Sequence, residues 1–230
     1  MKLRFYLNKK LDQIIVNSFL EERGGGLDFS ASILRIHPDL NKIKTNQVHK
    51  KERIVNDYVD DYYRQNRAQI KQKTDLIRNA WQLLEDEYIL RTEQFFQEFS
   101  FPPGRYIAYP SIVKCQPRFL EDKTFQFFYD QEPAEAIQVI AHELLHFIFF
   151  DFIEQKMISE IKPLSDDQRW DLSEIFNVLA LQSEIYQPLI DPRTITPYPD
   201  HLNHIKQLRK DYWRNATELT KEIISLINKS

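Results

Sequence analysis

Apolar and polar residues alternate from Lys2 to Leu7, and this two-residue period predicts a short strand. From Lys10 to Glu22 the apolar positions move to helical spacing, and Gly24, Gly25 and Gly26 read as the stop of that helix. Neither proline nor glycine occurs between Asn46 and Phe99, where Ile54, Tyr58, Tyr62, Ile70, Ile77, Trp81, Leu84, Tyr88 and Phe95 recur near helical spacing. The pattern predicts two long helices with an aromatic face turned into the core. Pro102, Pro103 and Gly104 end it, and strand formers follow in Arg105 to Val113 and Thr124 to Tyr129. Pro110 and Pro117 restrict the first segment to an edge or irregular strand, whereas the second is uninterrupted.

Pro133 stands where a first helical turn accepts proline, and no breaker follows from Ala134 to about Gln155. The apolar residues of this stretch, Ile137 to Phe150, nearly encircle the helix and predict burial on most sides. Ser165 with Gln168 forms a capping box for the next helix, which carries Glu174. Pro188 to Pro199 reads as a connector, and Asp200 as the cap of a final helix through Leu226 that includes Leu202, Ile205, Leu208, Tyr212, Leu219 and Ile223. The expected fold class is a mostly helical α+β protein. A helical N-terminal region, residues 1–100, packs as one compact unit on residues 101–230, which hold a small edge sheet or hairpin.

Composition narrows the function classes. Apolar residues at 42% support a globular core, and no segment has the polar bias of a disordered chain. The first residues do not read as a secretory signal, and the apolar stretch around Ile137 to Ile153 carries His142, Glu143, His146 and Asp151, so no membrane span is expected. Cys115 is the single cysteine, which excludes an internal disulfide and fits a reducing, cytoplasmic setting. Residues 1–80 carry 16 Lys/Arg against 10 Asp/Glu, and residues 81–230 carry 15 against 24. The local cluster Lys42, Lys44, Lys50, Lys51 and Arg53 reads as a solvated helical face, and nucleic acid is not an expected partner. The triple glycine is not a phosphate loop, because Leu27, Asp28 and Phe29 follow it instead of lysine and a hydroxyl residue.

Candidate chemistry sits on the apolar helix, in Ala141-His142-Glu143-Leu144-Leu145-His146. Two histidines four apart project from one helix face and can share one metal ion, while Glu143 beside the first is placed to take a proton from a water at that metal. Zinc suits imidazole donors and acidifies bound water. Such groups on a buried helix need a common explanation, which a metal supplies.

The pattern resembles the zincin metallopeptidases, and within them the gluzincin branch. Residues Phe149 and Phe152 stand where the metzincin branch has glycine and histidine. The resemblance covers roughly residues 120–180 and implies a zincin-like catalytic region in 101–230, with zinc held by His142, His146 and a glutamate from the following helix. Glu174 is the expected third ligand. Ser173 and Val178 depart from the residues that often accompany that glutamate, so Asp171, Glu184 and Cys115 stay open as alternatives. The resemblance also implies an edge strand bordering the cleft, here Thr124 to Tyr129, and a peptide or protein substrate. A donor to a developing oxyanion is sought among Tyr186, Tyr198, His201 and His204, with His204 favoured. Asp171 is a candidate to bond a ligand imidazole. The expected activity is zinc-dependent peptide hydrolysis with Glu143 as general base. The alternatives are a non-peptidase zinc amidohydrolase, and an interaction protein that holds structural zinc or no metal.

Overall fold

The computed structural model describes residues 1–43, 47–208 and 215–228. The alternating N-terminus forms β1 (Leu3–Phe5), followed by α1 (Lys9–Phe19), whose first turn is capped by the Asn8 side chain accepting from the Leu11 N–H. The glycines do not stop this helix, which ends before them. Gly25 and Gly26, at φ +59° and +79°, make the turn of a hairpin between β2 (Arg23–Gly24) and β3 (Leu27–Asp28), a turn that needs left-handed backbone at consecutive positions. Asp28 then caps α2 (Phe29–Ile36).

The breaker-free stretch forms α3 (Val48–Gln82) and α4 (Glu85–Phe95), as its spacing predicts. Lys44 of the basic cluster and Asn46, at the start of that stretch, lie outside the described residues. In the first half of α3 the buried line is Val55, Val59 and Tyr63, one position on from Ile54, Tyr58 and Tyr62. Ile54 is exposed, and the two tyrosines sit half-buried because their hydroxyls reach His37 and Tyr129. Ile70, Ile77, Trp81, Tyr88 and Phe95 are buried as expected.

Strands β4 (Tyr106–Ser111), β5 (Arg118–Phe119) and β6 (Thr124–Phe128) join β1 in a sheet of order β1-β4-β6-β5. Two expectations are corrected here. The segment with Pro110 is an interior strand, parallel to both neighbours. The Ile107 N–H faces β6 and bonds Lys123 O, while Ala108 O faces β1 and accepts from Tyr6 N–H. Strand alternation turns the proline nitrogen to the β1 side, past the last paired residue, so no ladder bond is lost. Thr124–Phe128 is likewise interior; the edge belongs to Arg118–Phe119, antiparallel to it.

Against this sheet lies α5 (Pro133–Lys156), with Pro133 in its first turn. Tyr106 and Phe125 pack on Phe147 from the sheet, the Tyr88 hydroxyl of α4 donates to Ala141 O, and Phe149 meets Phe176 from the helix that begins at Asp166. Among the described residues α5 is the one helix long and apolar enough to cross a membrane, and most of it is buried inside the protein. After α6 (Ile158–Ile161), the predicted capping box of Ser165 and Gln168 opens α7 (Asp166–Leu181). The predicted final helix is broken: α8 (Leu202–Leu208) and α9 (Ala216–Ile227) are separate. The Asn215 side chain caps α9, Asp200 lies in a short 3-10 turn, and Tyr212 falls outside the described residues.

The N-terminal elements and the sheet are fastened together by Asp12 of α1, which is fully buried. Its Oδ1 accepts from Ser111 Oγ at 2.6 Å and Gln126 Nε2 at 2.7 Å, and its Oδ2 from Tyr63 Oη at 2.7 Å and the Ile112 N–H at 3.0 Å. Burial pushes this carboxyl upward against all four bonds. Asp12→Ala would strand these donors away from water. It is expected to lower stability in urea unfolding by at least about 3 kcal/mol. A change below about 0.5 kcal/mol, typical of an exposed site, would contradict that role.

Candidate metal centre

Helices α5 and α7 cross with their polar positions facing one another. On α5, residues His142 and His146 lie one turn apart, and α7 brings Glu174 opposite them. One ligand atom from each of the three lies within 4.8 Å of the others. His146 Nε2 is 3.0 Å from His142 Nε2, which is 3.0 Å from Glu174 Oε2. The crossing is pinned beside the site by Asn177 Nδ2, which donates to His142 O at 3.0 Å. His146 is fully buried, with its ring stacked on Phe150.

Arg118 completes the centre, and no sequence spacing pointed to it. From the edge strand β5 its Nη1 donates to Glu174 Oε1 at 2.8 Å, and its guanidinium lies over the Phe150 ring. Glu143 is 5% exposed, and its Oε2 has no hydrogen-bond partner. This is costly for a carboxylate unless a ligand or water is meant to meet it.

The other candidates are distributed as follows. Tyr198 lines the cavity at the centre, whereas His204 on α8 does not. Tyr186 is buried elsewhere and donates to Thr92 Oγ1. Asp171 does not reach a ligand imidazole: its Oδ1 is 2.7 Å from His201 Nε2, and that ring packs against Trp170 and Tyr198. Glu184 is exposed after the end of α7, and Cys115 is buried in the cavity wall. Of the four carboxylates and thiols weighed as third ligand, Glu174 is the one grouped with the two histidines.

The cavity has a volume of about 670 Å³ and runs from His142, Glu143 and Glu174 along the N-terminal turns of α5. Its far walls come from α2, from the strand-edge segment 114–118 and from the connector 194–199. The hairpin touches that connector: a Cβ on Gly25 would collide with the Tyr198 ring, and Asp200 N–H points at Gly25 O. Two segments far apart in sequence thus close one side of the cavity.

Burial sets the charge states, and the neighbours adjust them. Burial raises the Glu143 carboxyl to about 7, even though His142 and Arg118 pull it down. Burial and Arg118 push His146 well below its ordinary value, leaving it neutral. Burial also opposes ionisation of Glu174, but the hydrogen bond and charge of His142 and the Arg118 guanidinium outweigh it and hold the carboxylate ionised. For His142 the Glu174 hydrogen bond and the two nearby carboxylates overcome burial and raise its pKa. An ionised carboxylate and a neutral imidazole are the ligating forms. A divalent cation would replace the proton that His142 otherwise shares with Glu174.

These shifts have a measurable sign in metal-free protein. A carboxyl raised from 4.5 to about 7 binds its proton more tightly folded than unfolded, so its stabilising contribution is present at low pH and lost as pH rises through about 7. Under chelator, Glu143→Gln is therefore expected to gain stability relative to wild type as pH goes from 5 to 8, read as diverging melting temperatures. Parallel curves would show that Glu143 is not desolvated.

No protein-family model, curated protein or solved structure matches the chain. The reading of this centre rests on its donor set and its surroundings.

Proposed function

We propose that this protein is a zinc-dependent metallopeptidase of gluzincin-like construction, with His142, His146 and Glu174 as ligands and Glu143 as general base. The observation that carries the proposal is the convergence of two imidazoles and a carboxylate, with an unpartnered buried carboxyl beside them, at one end of a long cavity. Further support comes from the order of parts: a sheet with an antiparallel edge strand, the motif helix against it, and a second helix delivering the third group.

Zinc bound there supplies Lewis acidity, which polarises a carbonyl and acidifies water. The chain's own groups do the rest. Glu143 Oε2, free of any protein partner, takes a proton from the attacking water and returns it to the leaving nitrogen. Burial and the charges of Glu174 and Glu143 keep the Tyr198 hydroxyl protonated, so it serves as donor to the carbonyl oxygen as that oxygen becomes negative. Arg118 fixes the orientation of Glu174. Phe150, Val139 and the cavity walls restrict water, which strengthens each of these interactions.

The expected metal content is one zinc per chain by elemental analysis, lost in His142→Ala, His146→Ala and Glu174→Ala. Glu143→Gln should retain the zinc and lose peptide hydrolysis by about 10²–10⁴-fold in kcat, with Tyr198→Phe losing about 10²-fold. A metal-loaded Glu143→Gln protein with full activity would refute the mechanism. Wild type that takes up no metal on reconstitution would refute the proposal as a whole.

A further inference from the structure

The cavity runs from the metal centre past the first turns of α5, and its walls carry polar side-chain atoms with no hydrogen-bond partner. Gln131, in the turn between β6 and α5, is 5% exposed and lines the cavity. Both its Oε1 and its Nε2 are buried without a hydrogen-bond partner. Gln116, on the strand-edge segment that lines the same cavity, has a buried Nε2 that is equally unpartnered. Its backbone is held at φ +54°, a conformation that a non-glycine residue adopts at a cost.

Buried amides are normally paired, and leaving one unpaired costs about 1–3 kcal/mol for each group. A buried glutamine amide with neither end partnered matches one kind of group particularly well. It has a donor and an acceptor side by side, and it pairs at two points with another amide. Charged or purely apolar ligands would leave at least one end unmet.

Position gives a scale. The cavity wall on α5 includes Glu135, Gln138, Val139 and His142, successive positions of one helix face. Helical rise from the residues just before α5 to His142 places Gln131 about 15 Å from the metal centre. An extended chain spans that in about four to five residues. The cavity is also lined by Arg118 of the edge strand β5 and by Gln116 just before it, and an extended chain can lie along such an edge.

We propose that Gln131, assisted by Gln116, is a recognition site for an amide group of an extended polypeptide, set about four to five residues from the scissile bond. The substrate is then a segment of unfolded or flexible chain and not a dipeptide or a small amide. The inference rests on the peptidase reading for the location of the scissile bond. Two sources offer the same amide chemistry, the main chain and the side chains of Asn or Gln.

The test measures binding apart from hydrolysis. Fluorescence anisotropy is recorded on the full-length, metal-loaded Glu143→Gln protein, with and without Gln131→Met, using a labelled unstructured peptide of about ten residues that lacks Asn and Gln, the same peptide with one Gln, and a form of about three residues. Loss of about tenfold in affinity for the long peptides, with the short one unaffected, is expected from one buried amide pair. A loss seen for both long peptides assigns the main chain; a loss seen only with the Gln-bearing peptide assigns the side chain. Melting temperatures verify that Gln131→Met is folded, and Gln116→Met provides a second variant that should weaken long peptides in the same direction. Equal affinity of all variants for the long peptides, or a loss that is the same for the short one, would overturn the subsite. The peptidase reading fails separately, when long peptides bind through Gln131 but the protein with Glu143 intact does not cleave them.

Discussion

A helix buried on nearly every side leaves its polar groups no water to turn to, and this constraint on α5 organises the centre of the molecule. His146 and Glu143 lie in a setting where an unmet imidazole or carboxylate would cost several kcal/mol. His146 is met by His142, which meets Glu174 with Arg118 behind it, while Glu143 Oε2 is left unpartnered. Each member makes another tolerable. The ionised Glu174 favours the protonated form of His142, and Arg118 balances a carboxylate that burial would otherwise protonate. Two imidazoles and a carboxylate so grouped could hold a metal ion.

The surrounding architecture keeps that arrangement in place. Residue Asn177 ties α7 to the backbone of α5 at His142, and Tyr88 ties α4 to it at Ala141, so the turn that carries His142 is clamped from two directions. On the other side of the sheet, Asp12 links α1 and α3 to β4 and β6. The N-terminal helices therefore do not form a separate body: β1 is a strand of the sheet, and α2 supplies a wall of the cavity.

The mostly helical α+β character and the motif helix were legible because breakers and periodicity are local properties. Pro133, the capping pair Ser165 and Gln168, and the long interval without glycine or proline each acted through adjacent residues. What escaped depended on contacts across the fold. The interior place of β4 turns on which side of the strand the Pro110 nitrogen faces. The break before α9 rests on Asn215, a cap with no proline or glycine to announce it. Tyr198 lines the cavity and His204 does not, and helical spacing does not say which helix borders a cavity. Arg118, Gln116 and Gln131 come from short strands and turns, where no period marks a residue as inward-facing.

The contact between the Gly25–Gly26 turn and Tyr198 joins positions separated by most of the chain. During synthesis the motif helix emerges well before the connector that carries Tyr198, so its polar face is exposed while one side of the cavity is still missing. Closing the loop between the glycine turn and Tyr198 costs entropy, although each doubling of its length adds only about 0.6 kcal/mol. The cavity is thus a property of the finished fold, and the same polar groups on a nascent chain would sit in open solvent, with ordinary affinities for protons. In this way the topology makes one wall of the cavity depend on residues from both ends of the chain.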